Sequence, residues 1–274
     1  MILLNVTGMK QLIRLTILFC TCAALALTAL AGPEPLSSGK EMKQVAPAPP
    51  ECDYTWTGFY IGARAGYGWD AGEIHAEGLP PAGFTIDPGH DDLNADGFVG
   101  GGELGFNWQL GKWFVLGAEG DFSGSDMSGT ATTGQNVPQT AFNPAILRAS
   151  QDINWIGTVR GRVGFVPWCR MLIYGTGGFA FADVDDAAIL DFRPSGGTAF
   201  YPTSRSDTQS GWTAGGGLEF AISHHWSIKA EYLYFDLGDR SRTALEQGAV
   251  GPFAVHYKWD TQFHMVSGGL NFKF

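Results

Sequence analysis

The sequence predicts an all-β fold, an eight-stranded antiparallel up-and-down transmembrane β-barrel with short periplasmic turns and long extracellular loops. Three observations lead to this fold class. Segments of about ten to fourteen residues alternate between apolar and polar positions, their connections alternate between short and long, and an export signal precedes them. An even number of strands with aromatic ends and one set of short turns is typical of membrane-spanning barrels.

Residues 1–31 are predicted to be a cleaved signal peptide. Lys10 and Arg14 supply the positive charge, the run 15–31 is apolar, and it closes on the small-x-small pattern Ala-Leu-Ala. An uncleaved anchor helix is the alternative, but the run is shorter than the ~20 residues of a bilayer span. Met9 is an alternative start to Met1, because the sequence after Met9 is a more usual beginning of a signal.

Residues 32–53 are predicted to be a Pro-rich flexible periplasmic linker, and residues 54–274 the barrel. The linker has few large apolar groups and no periodicity, so it cannot bury enough surface to fold. Without the signal, 15 basic and 27 acidic residues remain, a formal charge of −12. Such an acidic chain argues against nucleic acid as a partner.

Eight strands are predicted, and their connections define two ends of the barrel. Tight turns join strand two to three, strand four to five and strand six to seven. The other connections contain roughly twenty to thirty residues rich in Gly, Ser, Thr, Asp and Pro. All short turns therefore lie at one end. The predicted strands are 55–69, 97–110, 113–124, 153–166, 171–184, 211–222, 226–237 and 261–274.

Each strand has one apolar and one polar face, with aromatic residues near both ends and glycine on the polar side. In a soluble sandwich, which is the alternative fold, the apolar face would be the core. The export signal, the aromatic ends and the inward glycines favour a barrel with an apolar exterior and a narrow polar lumen. The fifth strand has no clear phase, because Leu172 and Tyr174 indicate one face and Phe179 and Phe181 the other.

Charged residues on the polar faces are expected to meet inside the lumen. The bore of an eight-stranded barrel is only wide enough for side chains to fill it, so unpaired charges there would be costly. We expect a network of ion pairs that closes the lumen, and a narrow gated ion path is the alternative. The network is predicted to contain Arg64, Glu103, Glu119, Asp121, Arg160, Arg162, Glu219, Lys229 and Glu231.

The chain resembles the small eight-stranded outer-membrane β-barrel family, the porin-family surface antigens of Gram-negative bacteria that are related to the OmpA-like barrel domain. The resemblance lies in "WTGFYIGARAGYGW", "GFVGGGELGFNWQ", "GTVRGRVGF", "IYGTGGFAF", "WSIKAEYLYFDLG" and "GGLNFKF", and it covers residues 54–274. It implies an integral protein of the cell outer membrane with a structural, surface-exposed or modest pore role, and no catalytic residues carry over.

Further expectations follow from this resemblance and from the export signal. The aromatic C-terminus, Phe272 and Phe274, is expected to be the assembly signal. Expected partners are outer-membrane lipid and lipopolysaccharide, together with the export and barrel-assembly machinery that the chain meets on its way through the periplasm. The barrel is expected to be a monomer without a cofactor, and the sequence does not name an extracellular ligand.

Residues 92–103 match the spacing of a helix–loop–helix calcium loop, D-x-N-x-D-G-x5-E. The flanking sequence has no helical periodicity, and in a strand Glu103 would lie ~23 Å from Asp96. This reading therefore fails. The acidic segment 70–96, which also contains His75 and His90, is interpreted as a solvated loop, with divalent-cation binding as the alternative.

Catalysis and a disulfide are the remaining candidates. His224, His225 and Ser227 have a spacing suggestive of an esterase, but they fall in a tight turn without an obvious carboxylate partner, and no G-x-S-x-G is present. Cys52 and Cys169 are both predicted at the periplasmic end, where a disulfide between them is possible.

Three functions remain open after these exclusions. The first is a non-enzymatic outer-membrane barrel with a structural and surface-exposed role, the second a small-solute porin-like channel, and the third a loop-mediated adhesin or ligand binder. An ion-paired lumen favours the first over the second. The predicted loop segments 128–145 and 193–206 are expected to be flexible, and they contain no recognisable ligand motif.

Overall fold

The computed structural model describes residues 53–70, 72–79, 90–135, 145–192, 199–245, 247–248 and 254–274. The predicted signal peptide and most of the predicted linker lie outside these residues. Within the described part of the chain, no helix has the length and apolar character needed to cross a membrane. The strands are β1 (Gly58–Asp70), β2 (Glu73–Leu79), β3 (His90–Asp92), β4 (Asp96–Leu110), β5 (Phe114–Gln135), β6 (Ala145–Trp168), β7 (Met171–Phe192), β8 (Ala199–Ala221), β9 (Trp226–Leu245), β10 (Gln247–Gly248) and β11 (Ala254–Lys273).

Eight of these strands form a closed antiparallel ring. The ring order is β1-β4-β5-β6-β7-β8-β9-β11, and β11 pairs back with β1. This closing register runs from Tyr60 opposite Lys273 to Asp70 opposite Phe263. Closure leaves no open edge in this part of the sheet, which is the condition for a β-structure to lie in lipid. The predicted eight-stranded up-and-down barrel is confirmed.

The exterior of the ring carries an apolar belt. On β4 this belt extends from Phe98 to Leu110, about 40 Å along the strand, or about 28 Å along the membrane normal at a tilt of ~45°. That height is close to the apolar band of outer-membrane barrels. Large exposed side chains in the belt include Phe59, Tyr67, Trp69, Phe98, Leu104, Phe106, Trp108, Trp113, Phe122, Val159, Val163, Phe165, Phe179, Trp212, Tyr232, Val266 and Leu270.

Beyond the belt, most of the ring strands continue into what we call the extracellular extension. β5, β7 and β8 each have 22 or 23 residues, whereas the sequence predicted strands of 12 to 14 residues. Segments 128–135 and 199–206, which were expected to be flexible loop, are strand in the structure. That expectation was wrong because the alternation of outward and inward residues continues there: Ser128, Thr130 and Ser204 are exposed, whereas Ala131 and Tyr201 are buried inside.

The upper edge of the belt coincides with irregularities in β5, β6 and β9. The pairing register shifts between Gly124 and Met127, and again between Asp260 and Gln262. In β6 a further shift lies near Asn154: even-numbered residues face inward within the belt, and odd-numbered residues face inward beyond it. In β9 Gly238 has φ +77°, a conformation that favours glycine. These bulges mark the change from the belt to the extension.

The interior consists of stacked layers, three of which are apolar. The periplasmic apolar layer contains Tyr54, Trp56, Val115, Val166, Leu172, Tyr174 and Ala221. The middle apolar layer contains Val99, Met127, Ile153, Ile156, Ala180, Ala182, Val184, Leu233, Phe235, Leu237, Phe263 and Met265. The extracellular apolar layer contains Ile74, Ala76, Leu93, Ala131, Leu147, Ala149, Ala188, Leu190, Tyr201, Ala244, Val255, Tyr257 and Trp259.

These layers resolve the face of β7 that the sequence left open. Leu172 and Tyr174 point into the barrel and belong to the periplasmic apolar layer, whereas Phe179 and Phe181 are exposed on the belt. Both pairs are apolar because the lumen itself is apolar at the level of Leu172. Hydrophobicity alone could therefore not distinguish the two faces of this strand.

Candidate functional site in the barrel lumen

The structure places all nine charged residues of the predicted network inside the barrel, in one layer between the periplasmic and middle apolar layers. They come from β1, β4, β5, β6, β8 and β9, and each is at most 9% exposed. The period-two alternation of each strand turns these side chains inward, and outward-facing positions beside them carry the apolar belt. We call this set the charged layer.

Arg160 on β6 connects carboxylates from both sides of the lumen. Its Nη2 lies 2.6 Å from Glu119 Oε1 and 3.0 Å from Asp121 Oδ2, both on β5. Its Nη1 lies 3.1 Å from Glu231 Oε2 on β9. The remaining donor, Nε, bonds to Thr158 Oγ1 at 2.9 Å. One guanidinium group therefore bridges two strands that are not neighbours in the ring.

Arg162, one inward position closer to the periplasm, makes a second bridge. Its Nη1 lies 3.3 Å from Glu119 Oε2, and its Nη2 lies 2.7 Å from Glu219 Oε2 on β8. The guanidinium also lies over the Tyr174 ring, with Cζ 4.0 Å from the ring centroid. The planar guanidinium suits both contacts, because it binds carboxylates through a fork of donors and stacks on aromatic faces.

Lys229 and Arg64 complete the cationic side of the layer. Lys229 Nζ lies 2.7 Å from Glu103 Oε2 and 3.0 Å from Glu119 Oε2. Arg64 Nη1 lies 3.1 Å from Asp121 Oδ1. The four cations and five carboxylates give the layer a formal charge of −1. Their contacts link strands across the lumen, so the charged layer fills the bore at this level.

Neutral groups extend the network to the two strands that supply none of its charges. Tyr174 on β7 donates to Glu231 Oε1 at 2.8 Å, and Asn271 on β11 donates to Glu219 Oε1 at 3.2 Å. Tyr60 on β1 donates to Glu119 Oε2 at 2.5 Å. Sequence reasoning missed these partners, although their inward parity would have identified them. All eight ring strands thus contribute to one hydrogen-bonded layer.

The chain segment just before β1 covers the periplasmic mouth of the barrel. Tyr54 and Trp56 are 5% and 1% exposed, and the backbone N–H of Trp56 donates to Gln109 Oε1 at 2.8 Å. Lys273 Nζ lies 4.1 Å from the Tyr54 ring centroid. The sequence predicted Tyr54 at the start of the barrel and Trp56 in its first strand. In the structure both residues precede β1 and belong to the periplasmic apolar layer.

The middle apolar layer covers the other side of the charged layer. Phe235 on β9 and Phe263 on β11 stack with centroids 4.4 Å apart and an interplanar angle of 9°. Both are completely buried, as is Leu233. The charged layer is therefore enclosed by apolar side chains toward the periplasm and toward the extracellular side.

Among the residues that the structure describes, those considered for calcium binding and catalysis are not assembled into either kind of site. Glu103 lies on strand β4 and pairs with Lys229 in the lumen. Ser227 points into the lumen and donates to Glu219 Oε1 at 2.6 Å. His225 stacks on Phe272 with centroids 5.8 Å apart, while His224 is largely exposed near Asp53. These three side chains of the periplasmic turn point in different directions.

The cysteine and C-terminal expectations have separate outcomes. Cys169 is disulfide-bonded and packs against the periplasmic apolar layer. Its predicted partner, Cys52, lies outside the described residues, so the pairing stays a prediction.

Phe272 and Phe274 form a T-shaped pair, 5.4 Å between centroids, at the periplasmic edge of the belt. Their role as an assembly signal also stays a prediction.

Comparisons with known proteins agree with this architecture. The family model "Outer membrane protein beta-barrel domain" matches residues 22–274. The 31 kDa outer-membrane immunogenic protein of Brucella melitensis biotype 1 is 36% identical over 227 residues, 83% of this chain and 87% of the relative. The 22 kDa outer membrane protein of Rhizobium leguminosarum bv. viciae is 29% identical over 66% of this chain and 64% of the relative.

Solved structures with a similar strand arrangement are more distant. The outer membrane protein OprG from Pseudomonas aeruginosa has a TM-score of 0.40 and 12% identity, over 81% of this chain and 99% of its own. The attachment invasion locus protein Ail of Yersinia pestis has a TM-score of 0.30 and 15% identity, over 79% of this chain and 99% of its own. On the family match and the relatives together, this chain is an outer-membrane protein and belongs to the outer membrane protein β-barrel domain family.

Proposed function

We propose that this chain is a sealed, non-enzymatic outer-membrane barrel that stabilises the envelope and displays its extracellular extension at the cell surface. The observation that carries the proposal is the enclosure of the charged layer between two apolar layers. An ion that entered from either end would first have to leave water among apolar side chains, and apolar constrictions close pores by excluding water. The ion pairs are then a polar core that joins the strands.

This arrangement differs from a lumen closed by ion pairs alone. If the charges were the sole barrier, Arg160→Ala would open an ion path. In the layered interior, the stacked rings of Phe235 and Phe263 form a separate apolar barrier, which we expect to stay in place in that variant. We therefore expect Arg160→Ala to remain silent, and conductance to require loss of apolar and charged barriers together.

The test is single-channel conductance of the refolded chain, residues 32–274, in planar bilayers. Wild type, Arg160→Ala and Glu119→Ala are each expected to be silent. The combination of Arg160→Ala with truncations in all three apolar layers, Trp56→Ala, Phe235→Ala, Phe263→Ala and Tyr257→Ala, is expected to give measurable openings, with Phe179→Ala on the exterior as the control for aromatic loss. Steady conductance of the wild type would overturn the sealed barrel in favour of a small-solute channel.

The non-enzymatic role rests on the same geometry. Ser227 is committed to Glu219 inside the lumen, and His224 and His225 lie outside it, so this turn offers no nucleophile with an adjacent base. Wild type and Ser227→Ala are expected to give the same background rate of hydrolysis of a short-chain nitrophenyl ester. Hydrolysis by the wild type that Ser227→Ala abolishes would contradict this part of the proposal.

Surface display follows from the extracellular extension. Its exterior carries exposed polar residues, including Thr130, Arg148, Asp152 and Ser206, and the Brucella relatives are named outer-membrane immunogenic proteins. We infer from both that this chain displays the extension at the surface, and we expect its belt to contact lipid and lipopolysaccharide. An antibody raised against the extension should label intact cells, and labelling that requires permeabilised cells would contradict display.

A further inference from the structure

The wall of the extracellular extension has a gap between β8 and β9. Their backbone pairing runs from Ala221 opposite Ser227 to Trp212 opposite Asp236, and none is recorded beyond that point. Farther along, β8 continues to pair with β7, and β9 continues to pair with β11. At the outer end, β10 pairs with β8 at Gln247 and Phe200. In the described residues, the backbone pairing thus has a gap above the apolar belt, which Arg240 crosses by donating from Nη2 to Thr208 O at 3.4 Å.

Three arginines from the two edges of this gap converge on one small cavity. Arg205 lies on β8, and Arg240 and Arg242 lie on β9. They line a small surface space together with Asp186, Thr203 and Trp259. The structure describes five lysine and arginine residues in the extension, and three of them meet here in a chain of formal charge −10.

The positive charges are only partly compensated. Asp207 contacts Arg205 and lies 3.6 Å from Arg240 Nη1, so one carboxylate serves two guanidinium groups. No ion pair to Arg242 is recorded among the described residues. Desolvation, with the neighbouring charges of Arg242 and Arg240, lowers the pKa of Arg205. The cavity therefore holds more cationic than anionic groups at its rim.

The back wall of the cavity supplies an independent indication of a ligand. Trp259, on β11, is 2% exposed, and its indole Nε1 has no hydrogen-bond partner among the described residues. A buried donor without an acceptor costs roughly 1–3 kcal/mol, so such a group is a place where an acceptor belongs. Three guanidinium groups and an indole N–H, against the two carboxylates of Asp186 and Asp207, leave an excess of donors and of positive charge around this space, which suits an oxyanion.

We propose that the gap between β8 and β9 is a binding site for a phosphate group, held by Arg205, Arg240 and Arg242 with the Trp259 Nε1–H at its base. The phosphate would enter laterally, through the wall, from the level just above the membrane surface. Two sources share this chemistry, the phosphorylated sugar headgroup of an outer-leaflet lipid and a soluble phosphate. The proposal does not depend on whether the lumen conducts.

The test measures the binding of two probes to the refolded barrel in detergent micelles. Radiolabelled inorganic phosphate is followed by equilibrium dialysis, and retention of bis-phosphorylated lipid A, compared with the dephosphorylated lipid, is followed by mass spectrometry. Arg242→Gln is expected to weaken phosphate-dependent binding about tenfold or more. Arg148→Gln, an exposed arginine on β6 of the extension, is the matched control and should leave binding unchanged.

A second variant separates binding from a merely structural role of the arginines. Because Asp207 occupies two of the guanidinium groups, Asp207→Asn should tighten phosphate binding if a ligand competes with this carboxylate. If the cluster only ties β8 to β9, Asp207→Asn should leave binding unchanged and lower stability. Electrophoretic heat-modifiability, a gel shift given by folded barrels, verifies that each variant is folded.

The outcomes are distinguishable. Loss of lipid retention in Arg242→Gln without competition by free phosphate identifies a lipid-borne phosphate, whereas competition identifies a site open to soluble phosphate. Absence of phosphate-dependent binding to either probe overturns the proposal. Equal loss in Arg242→Gln and Arg148→Gln also overturns it, since diffuse surface charge would then explain the binding.

Discussion

Replacement of Arg160 by methionine tests whether the charged layer acts as one buried electrostatic unit. The guanidinium lies within 3.1 Å of oxygens from Glu119, Asp121 and Glu231, and its side chain is fully buried. Methionine restores much of the volume but no charge, so the formal charge of the layer changes from −1 to −2. Removing one partner of a buried ion pair costs about 3–5 kcal/mol, because the remaining charges stay desolvated.

The expected loss translates into a denaturation midpoint. With an m-value of about 2 kcal/mol/M, a loss of about 4 kcal/mol lowers the urea midpoint by about 2 M. The assay is urea unfolding in lipid vesicles followed by tryptophan fluorescence and by electrophoretic mobility. Two probes are needed because coincident transitions justify a two-state free energy of unfolding.

The matched control removes a charge of the opposite sign. Glu103 has an ion pair with Lys229, and Lys229 also contacts Glu119, so Glu103→Gln leaves the lysine paired. This change brings the formal charge of the layer from −1 to zero. We expect a cost below about 1 kcal/mol. A midpoint for Arg160→Met within about 0.5 M of wild type, or an equal drop in Glu103→Gln, would refute the reasoning.

Three further predictions concern other levels of the barrel. Gly101→Ala should destabilise by about 1–3 kcal/mol because an inward Cβ would collide with the β5 backbone. At outward-facing Gly100 the added Cβ would lie 3.8 Å from Arg64 O, so alanine should be tolerated there, and paired urea titrations check both. Burial raises the pKa of Asp186 above its usual 3.8. The protonated carboxyl therefore contributes stability that is fully present below pH 3.8 and is lost as the pH rises through the folded-state pKa. Asp186→Asn should remove this loss, so that the urea midpoint varies less between acid and neutral pH. Trp56→Ala should cost about 3–5 kcal/mol and expose the periplasmic mouth to proteases, and an unchanged midpoint and digestion pattern would show that this segment is not part of the core.

The lumen site could be predicted from the sequence because each belt strand keeps strict alternation. On β9, Lys229 and Glu231 share parity with Ser227, and all three are buried, as the pattern indicated. The alternation could not show which of these side chains contact one another. It placed nine charges in one lumen, but it did not show that Arg160 reaches β9 while Arg162 reaches β8. Those distances depend on strand tilt and stagger, which a single strand does not encode.

The extracellular extension and the periplasmic segment could not be predicted for a different reason. In segment 199–206, small polar residues face outward and Tyr201 faces inward, so the composition is that of a loop although the backbone is a strand. Tyr54 and Trp56 alternate correctly with their neighbours but precede the first backbone pair at Gly58. Tertiary burial, rather than local propensity, determines both segments.

The reversal of polarity along single strands also determines how deep the barrel lies in its bilayer. On β8, Trp212 and Leu218 face outward among lipid, while Ser206 and Thr208, farther along the same strand, face outward into water. If the barrel moved by two residues along its strands toward the cell interior, hydroxyl groups would enter the hydrocarbon. The opposite movement would expose aromatic rings to water. The barrel can therefore adapt little to hydrophobic mismatch by sliding. In a membrane thicker or thinner than its ~28 Å belt, the surrounding lipid has to stretch or thin to meet it.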